Sequence, residues 1–111
     1  MAQTWQQLKD LINEVDPDSL NLTRLILINE VDFYSKATSE GNGNNIEDQG
    51  FPNDNETQTW GQLLNILNDL DENVLSQNRQ ITAEGQEYNA VATLSDDGGP
   101  KSLIDHGIPP N

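Results

Sequence analysis

A chain of 111 residues with 19 acidic against 5 basic side chains, a formal charge of −14 and no cysteine excludes disulfides, thiolate metal sites and thiol chemistry. The charge is spread and not held in a tail: three bases and ten acids up to residue 55, then two and nine beyond it, leave −7 on each side. Such a surface repels phosphate backbones and anionic membranes, so neither nucleic acid nor a membrane is an expected partner.

Leu, Ile, Val and Phe make up about a quarter of the residues, so the core is thin. Met1 to Asp10 has no basic start followed by an apolar run, and the longest apolar stretch, Leu25 to Ile28, is far short of a membrane span. Secretion by a signal peptide is therefore not expected.

An internal repeat organises the chain. Gln3 to Ile26 aligns without a gap on Gln58 to Ile81, with identities at Gln3/Gln58, Thr4/Thr59, Trp5/Trp60, Gln7/Gln62, Leu8/Leu63, Asn13/Asn68, Asp16/Asp71, Leu20/Leu75, Arg24/Arg79 and Ile26/Ile81. These are ten matches in twenty-four positions, where composition alone gives roughly one or two. After two extra residues in the second copy, Ile46-x-Asp48-x-Gly50-Phe51-Pro52 matches Leu103-x-Asp105-x-Gly107-Ile108-Pro109. The expected division is repeat 1 over 1–53, a linker at 54–57, and repeat 2 over 58–111, packed as one compact domain.

Each copy opens on Thr-Trp-x-Gln, a capping box in which Thr4 or Thr59 accepts from the first turn and Gln7 or Gln62 reaches back. Trp5, Leu8, Leu11, Ile12 and Val15, and then Trp60, Leu63, Ile66, Leu67 and Leu70, fall at helical spacing, so each helix carries one apolar stripe led by its tryptophan. Burial of Trp5 and Trp60 is the expectation, ahead of a stacking role. Pro17 bars continuation of the first helix.

Arg24 to Ile28, the turn Asn29 to Asp32 and Phe33 to Thr38 read as a β-hairpin. Its counterpart runs from Arg79 to Ala83, through Glu84-Gly85-Gln86, to Tyr88–Leu94. Leu25 to Ile28 is apolar on both faces, which predicts burial on two sides in a sheet shared between the copies. Ser39 to Asn45 and Ser95 to Lys101 are rich in Gly, Asn, Asp and Ser and read as flexible loops. Asp-x-Gly-x-Pro, at Asp48, Gly50 and Pro52 and again at Asp105, Gly107 and Pro109, reads as a closing turn, with Asp bonding to the backbone, Gly at positive φ and Pro holding the exit extended.

Chemistry-bearing groups are few. The single His106 sits beside Asp105, but its repeat counterpart is Gln49 and no nucleophile accompanies it, so a turn residue is expected in preference to a catalytic or metal-binding one. Asp69-x-Asp71-x-Asn73 begins like a calcium loop, yet Val74 stands where the loop needs Gly and Gln80 where it needs the bidentate Glu. Asp96-Asp97-Gly98-Gly99 is cation-binding material only in isolation. No cofactor and no metal are expected. Arg24 and Arg79, matched in a chain with so few bases, point to structural ion pairs, with Asp16 and Asp71 as candidate partners.

The Thr-Trp-x-x-Leu opening, best seen in Thr59-Trp60-Gly61-Gln62-Leu63-Leu64, and the ending Leu103-Ile104-Asp105-His106-Gly107-Ile108-Pro109 resemble a family of short, acidic, mostly uncharacterised proteins of phage and aquatic bacterial genomes. The chain departs from that pattern in placing His before Gly, and its first copy has no His. The resemblance implies a fold and a genomic setting, and carries no assigned activity.

The expected fold is α+β, with two pseudo-symmetric helix plus β-hairpin repeats joined in one antiparallel sheet, helices on a face. The expected function is noncatalytic: a structural or interaction protein, most specifically a phage virion accessory or capsid decoration protein in the virion or host cytoplasm. Its partner would be a protein, the capsid shell or a second copy of itself. The alternative is an acidic intracellular regulator that binds a basic protein.

Overall fold

The computed structural model describes residues 2–40, 43–95 and 101–109. Six strands close into one barrel in the order β1-β2-β3-β4-β5-β6. Repeat 1 contributes helix α1 (Trp5–Ile12), a 3₁₀ turn (Pro17–Asn21), β1 (Leu25–Ile28), β2 (Val31–Thr38) and β3 (Glu47–Phe51). Repeat 2 contributes α2 (Trp60–Asn68), the single-turn helix α3 (Glu72–Leu75), β4 (Gln80–Ala83), β5 (Gln86–Ser95) and β6 (Ser102–Ile108).

This corrects the expected fold. The repeats do not share an open antiparallel sheet with helices on one face; they close a mainly stranded barrel with short helices. Each repeat has a third strand where a closing turn was expected. Asp48 and Gly50 lie within β3, and Asp105 and Gly107 within β6. Within a repeat the strands are antiparallel, but the repeats meet in parallel, β6 beside β1 and β3 beside β4. Closure leaves no free edge.

The two glycines serve close approach and not a turn. A Cβ on Gly107 would lie 2.6 Å from Ile28 Cγ1, and one on Gly50 would lie 3.3 Å from Ala83 Cβ and 3.4 Å from Phe33 Cβ. Pro52 and Pro109 follow directly on the strand ends, where a missing N–H costs no ladder bond.

The hairpins form as expected but turn more tightly. Ile28 pairs with Val31 and Ala83 with Gln86, leaving two-residue turns. Asn29, Glu30, Glu84 and Gly85 all have positive φ, the backbone whose twist matches the flanking strands.

Both capping boxes are closed. Gln7 N–H donates to Thr4 Oγ1 at 3.1 Å while Thr4 N–H donates to Gln7 Oε1 at 2.8 Å, and Thr59 and Gln62 repeat these bonds at the same distances. The apolar stripes of the helices, Trp5, Leu8 and Ile12 with Trp60, Leu63 and Leu67, gather with Val74 and Leu75 in one core that reaches Ala37 and Ala92 of the barrel. Ile26, Ile28, Phe33, Ile81, Ala83 and Ala90 fill the barrel interior as a second core.

The helices are exchanged between the repeats. α1 packs on β5 of repeat 2, and α2 packs on β2 of repeat 1. Antiparallel bridges at Thr4/Asn78 and Thr23/Thr59 hold the segments that lead into the helices against the opposite copy.

Candidate functional site

The exchange is fastened by two matching buried constellations. Arg24, just before β1, donates from Nη1 and Nη2 to both oxygens of Asp48 at 3.3 and 2.9 Å, and from Nη1 to Gln58 Oε1 at 2.7 Å. Gln58 also clasps the backbone of Ala37, accepting from its N–H and donating to its carbonyl, each at 3.0 Å. The Arg24 guanidinium lies 5.3 Å from the centre of the Trp60 ring, within cation–π range.

Repeat 2 does the same with the arm of repeat 1. Arg79 holds Asp105 at 3.1 and 2.8 Å and Gln3 at 2.7 Å, Gln3 clasps Ala92 at 2.9 Å twice, and Trp5 lies 5.3 Å from the guanidinium. All four charged side chains are fully buried.

The ion pairs expected of Arg24 and Arg79 therefore exist, with other partners. Asp16 precedes the 3₁₀ turn and accepts from Lys101 N–H at 3.2 Å, and Asp71 precedes α3, neither side chain bonding to the turn it leads into. Both lie at exposed helix starts, whereas Asp48 and Asp105 point inward from strands that the sequence had presented as turns. A buried bidentate pair contributes little net stability against its desolvation, but it fixes which segments meet. Here it joins β1 to β3 within a repeat and both to the arm of the other repeat. The constellations are fasteners, with each carboxylate already engaged by its arginine.

Asp69 is the C-cap of α2 while Asp71 starts α3, so the calcium-like run straddles two helices. Among the described residues no three of His, Asp and Glu cluster as a metal site would. Asp96-Asp97-Gly98-Gly99 lies outside the described residues. The described part of the first loop is tied down, Ser39 Oγ donating to the Asn45 carbonyl at 2.6 Å and Glu40 N–H to Asn45 Oδ1 at 2.9 Å.

Outside the barrel the two halves differ. Leu22, Leu25, Val31, Ile104 and Ile108 are the large apolar side chains most exposed to solvent among the described residues, at 37% to 54%. Four of them lie on β1 or beside it, Leu25 within it, Leu22 just before it, and Ile104 and Ile108 on the neighbouring β6, while Val31, paired with the buried Ile28, sits on the inward row at the open end of the barrel. Leu25 was expected to be covered on both sides; it is 39% exposed on the outer face.

The equivalent positions of the other seam are Gln77, Gln80, Gln86, Glu47 and Phe51. The strands there pair over only two positions, Gln49/Thr82 and Gly50/Ala83. They flank a polar groove of about 330 Å³ lined by Glu47, Gln49, Gln80, Thr82 and Glu87. One fold thus presents an apolar face over β1 and β6 and a polar, acidic groove over β3 and β4.

These features define an internally duplicated, helix-capped six-stranded barrel with one apolar outer face. No family model, no curated protein and no solved structure matches the chain. No described helix is long and apolar enough to cross a membrane.

Proposed function

We propose that the protein is a noncatalytic structural or interaction protein that makes a protein contact through the outer face of β1 and β6, with the capsid shell or a second copy of itself, and most specifically a virion accessory protein of a phage. The observation that carries this reading is the placement of the exposed Leu25, Ile104 and Ile108 on the outer side of β1 and β6, where the internal duplicate has Gln80, Glu47 and Phe51. The fold tolerates Gln80 where repeat 1 has Leu25 and Glu47 where repeat 2 has Ile104, so folding does not demand the apolar side chains. Contiguous exposed apolar surface of this kind marks protein contacts. The family resemblance adds the phage setting. Mass spectrometry of empty and full particles purified from the source strain tests the virion assignment: stoichiometric protein supports it, and absence from both sinks it.

The groove over β3 and β4 favours a second reading, an acidic regulator that receives a basic side chain or peptide between Glu47 and Glu87. Salt separates the two. Binding through the acidic groove weakens steeply as ionic strength rises, whereas attachment through the β1 and β6 face does not.

A further inference from the structure

The β1 and β6 face has a feature beyond apolarity, and it bears on what covers it. Leu27 points outward at the middle of β1, and its register partners are Asp32 on β2 and His106 on β6. A carboxylate and an imidazole therefore flank one leucine in a single row across three strands. Along the same strands the preceding level holds Tyr34 beside Leu25, with Ile104 on β6.

Resting on the reading of this face as a protein-binding surface, we infer that its occupant is a second copy of the chain, docked face to face about a twofold axis that runs along β1. Rotation about that axis places the β6 side of one copy over the β2 side of the other. His106 of each copy then meets Asp32 of its mate, twice by symmetry, and Leu27 packs on Leu27 at the centre. A twofold axis across the strands would instead set Asp32 on Asp32 and His106 on His106, which selects the orientation along β1.

The charges on the face itself agree with this arrangement. Two molecules that each carry −14 repel at long range. Of the seven outward positions Leu25, Leu27, Asp32, Tyr34, Ile104, His106 and Ile108, only Asp32 is acidic, and the twofold docking gives it a partner. The equivalent rows on the other seam, Gln49–Thr82–Glu87 and Glu47–Gln80–Asn89, would set each carboxylate against an amide and give neither an imidazole partner.

Sedimentation of the full chain tests the inference across about 1 to 500 μM at low and high salt. A monomer–dimer equilibrium that tightens as salt rises is expected, because the net charges repel and the contact is apolar. Leu27→Asp should weaken association at least about a hundredfold, while Thr82→Asp, its equivalent on the polar seam, leaves it unchanged.

The orientation has its own test. Asp32→His and His106→Asp each set like groups face to face and should each weaken the dimer about tenfold, and the double exchange should restore it. A chain monomeric throughout, or a dimer indifferent to Leu27→Asp, overturns the inference. A monomer whose binding to purified particles is nonetheless lost on Leu27→Asp overturns the dimer alone and leaves the binding face standing.

Discussion

The two seams of the barrel are built from equivalent residues of one repeat, yet they are alike inside and unlike outside. Inside, Arg24–Asp48–Gln58–Trp60 and Arg79–Asp105–Gln3–Trp5 match in chemistry and almost in distance. Outside, Leu25, Leu27 and Ile104 face Gln80, Thr82 and Glu47 as equivalents. Each repeat is thus a control for the other. What both retain is what the fold needs, and where one retains apolar side chains in water and the other does not, folding is no explanation.

The inner equality can be broken first, and it carries the largest effects. Asp48→Ala and Asp105→Ala each strand a fully buried guanidinium, and each should cost about 3–5 kcal/mol, or about 10–20 °C in melting temperature. The two losses should agree closely, since the constellations do. Thermal unfolding of both variants checks this, and a difference of several degrees would show that one fastener holds the exchange and the other only follows.

The seams should separate at their glycines. Gly107→Ala drives a methyl into Ile28 at 2.6 Å, whereas Gly50→Ala meets Ala83 and Phe33 at 3.3 and 3.4 Å. Overpacking of the first kind should cost roughly 1–3 kcal/mol and the second less than about 1 kcal/mol. Urea titrations of the pair decide it, with equal losses counting against the close approach at β6.

Two positions should gain from borrowing the other repeat's residue. The buried Ser35 Oγ has no hydrogen-bond partner among the described residues, and its equivalent is the buried Ala90. Ser35→Ala should therefore stabilise by about 1 kcal/mol. Glu30 holds φ at +69°, where repeat 2 has Gly85 at +80°, so Glu30→Gly should add roughly 0.5–1 kcal/mol. Neither gain has a counterpart in repeat 2, which is what a urea midpoint series on both repeats would show.

How much of this was legible in the sequence follows from which signals were local. Thr4 with Gln7 and Thr59 with Gln62 announce helix starts within four residues, and the tryptophans and leucines at helical spacing announce the buried face. The third strands were hidden because Asp48-x-Gly50-x-Pro52 has the composition of a turn. Gly50 and Gly107 serve a close approach that only the closed barrel creates. The arginine partners were misassigned for the same reason: Asp16 and Asp71 are repeat identities too, and strand placement alone sets Asp48 and Asp105 facing inward. Gln3 and Gln58 were visible as identities, but their exchange between copies depends on contacts many residues apart. The outer face did leave a trace in the alignment, at Leu22/Gln77, Leu25/Gln80 and Leu27/Thr82, positions where the repeats differ and not where they agree.

The smallest effect on stability carries the most weight for function. Grafting the polar seam onto the apolar one, Leu25→Gln with Leu27→Thr and Ile104→Glu, replaces exposed side chains by residues the same fold already accepts at equivalent sites. Unfolding free energy should therefore move by no more than about 0.5 kcal/mol per site. If Leu25, Leu27 and Ile104 are there to meet a partner, the graft should abolish association while leaving the melting curve nearly in place. The reverse graft, Gln80→Leu with Thr82→Leu and Glu47→Ile, should create a second apolar face on the β3 and β4 seam and carry association beyond a dimer, because two such faces on one molecule permit chains of molecules. Light scattering on the two grafts separates a face made for contact from one merely left apolar: a reverse graft that stays the size of the parent would mean that apolarity alone does not suffice, and that the Asp32–Leu27–His106 row supplies the match.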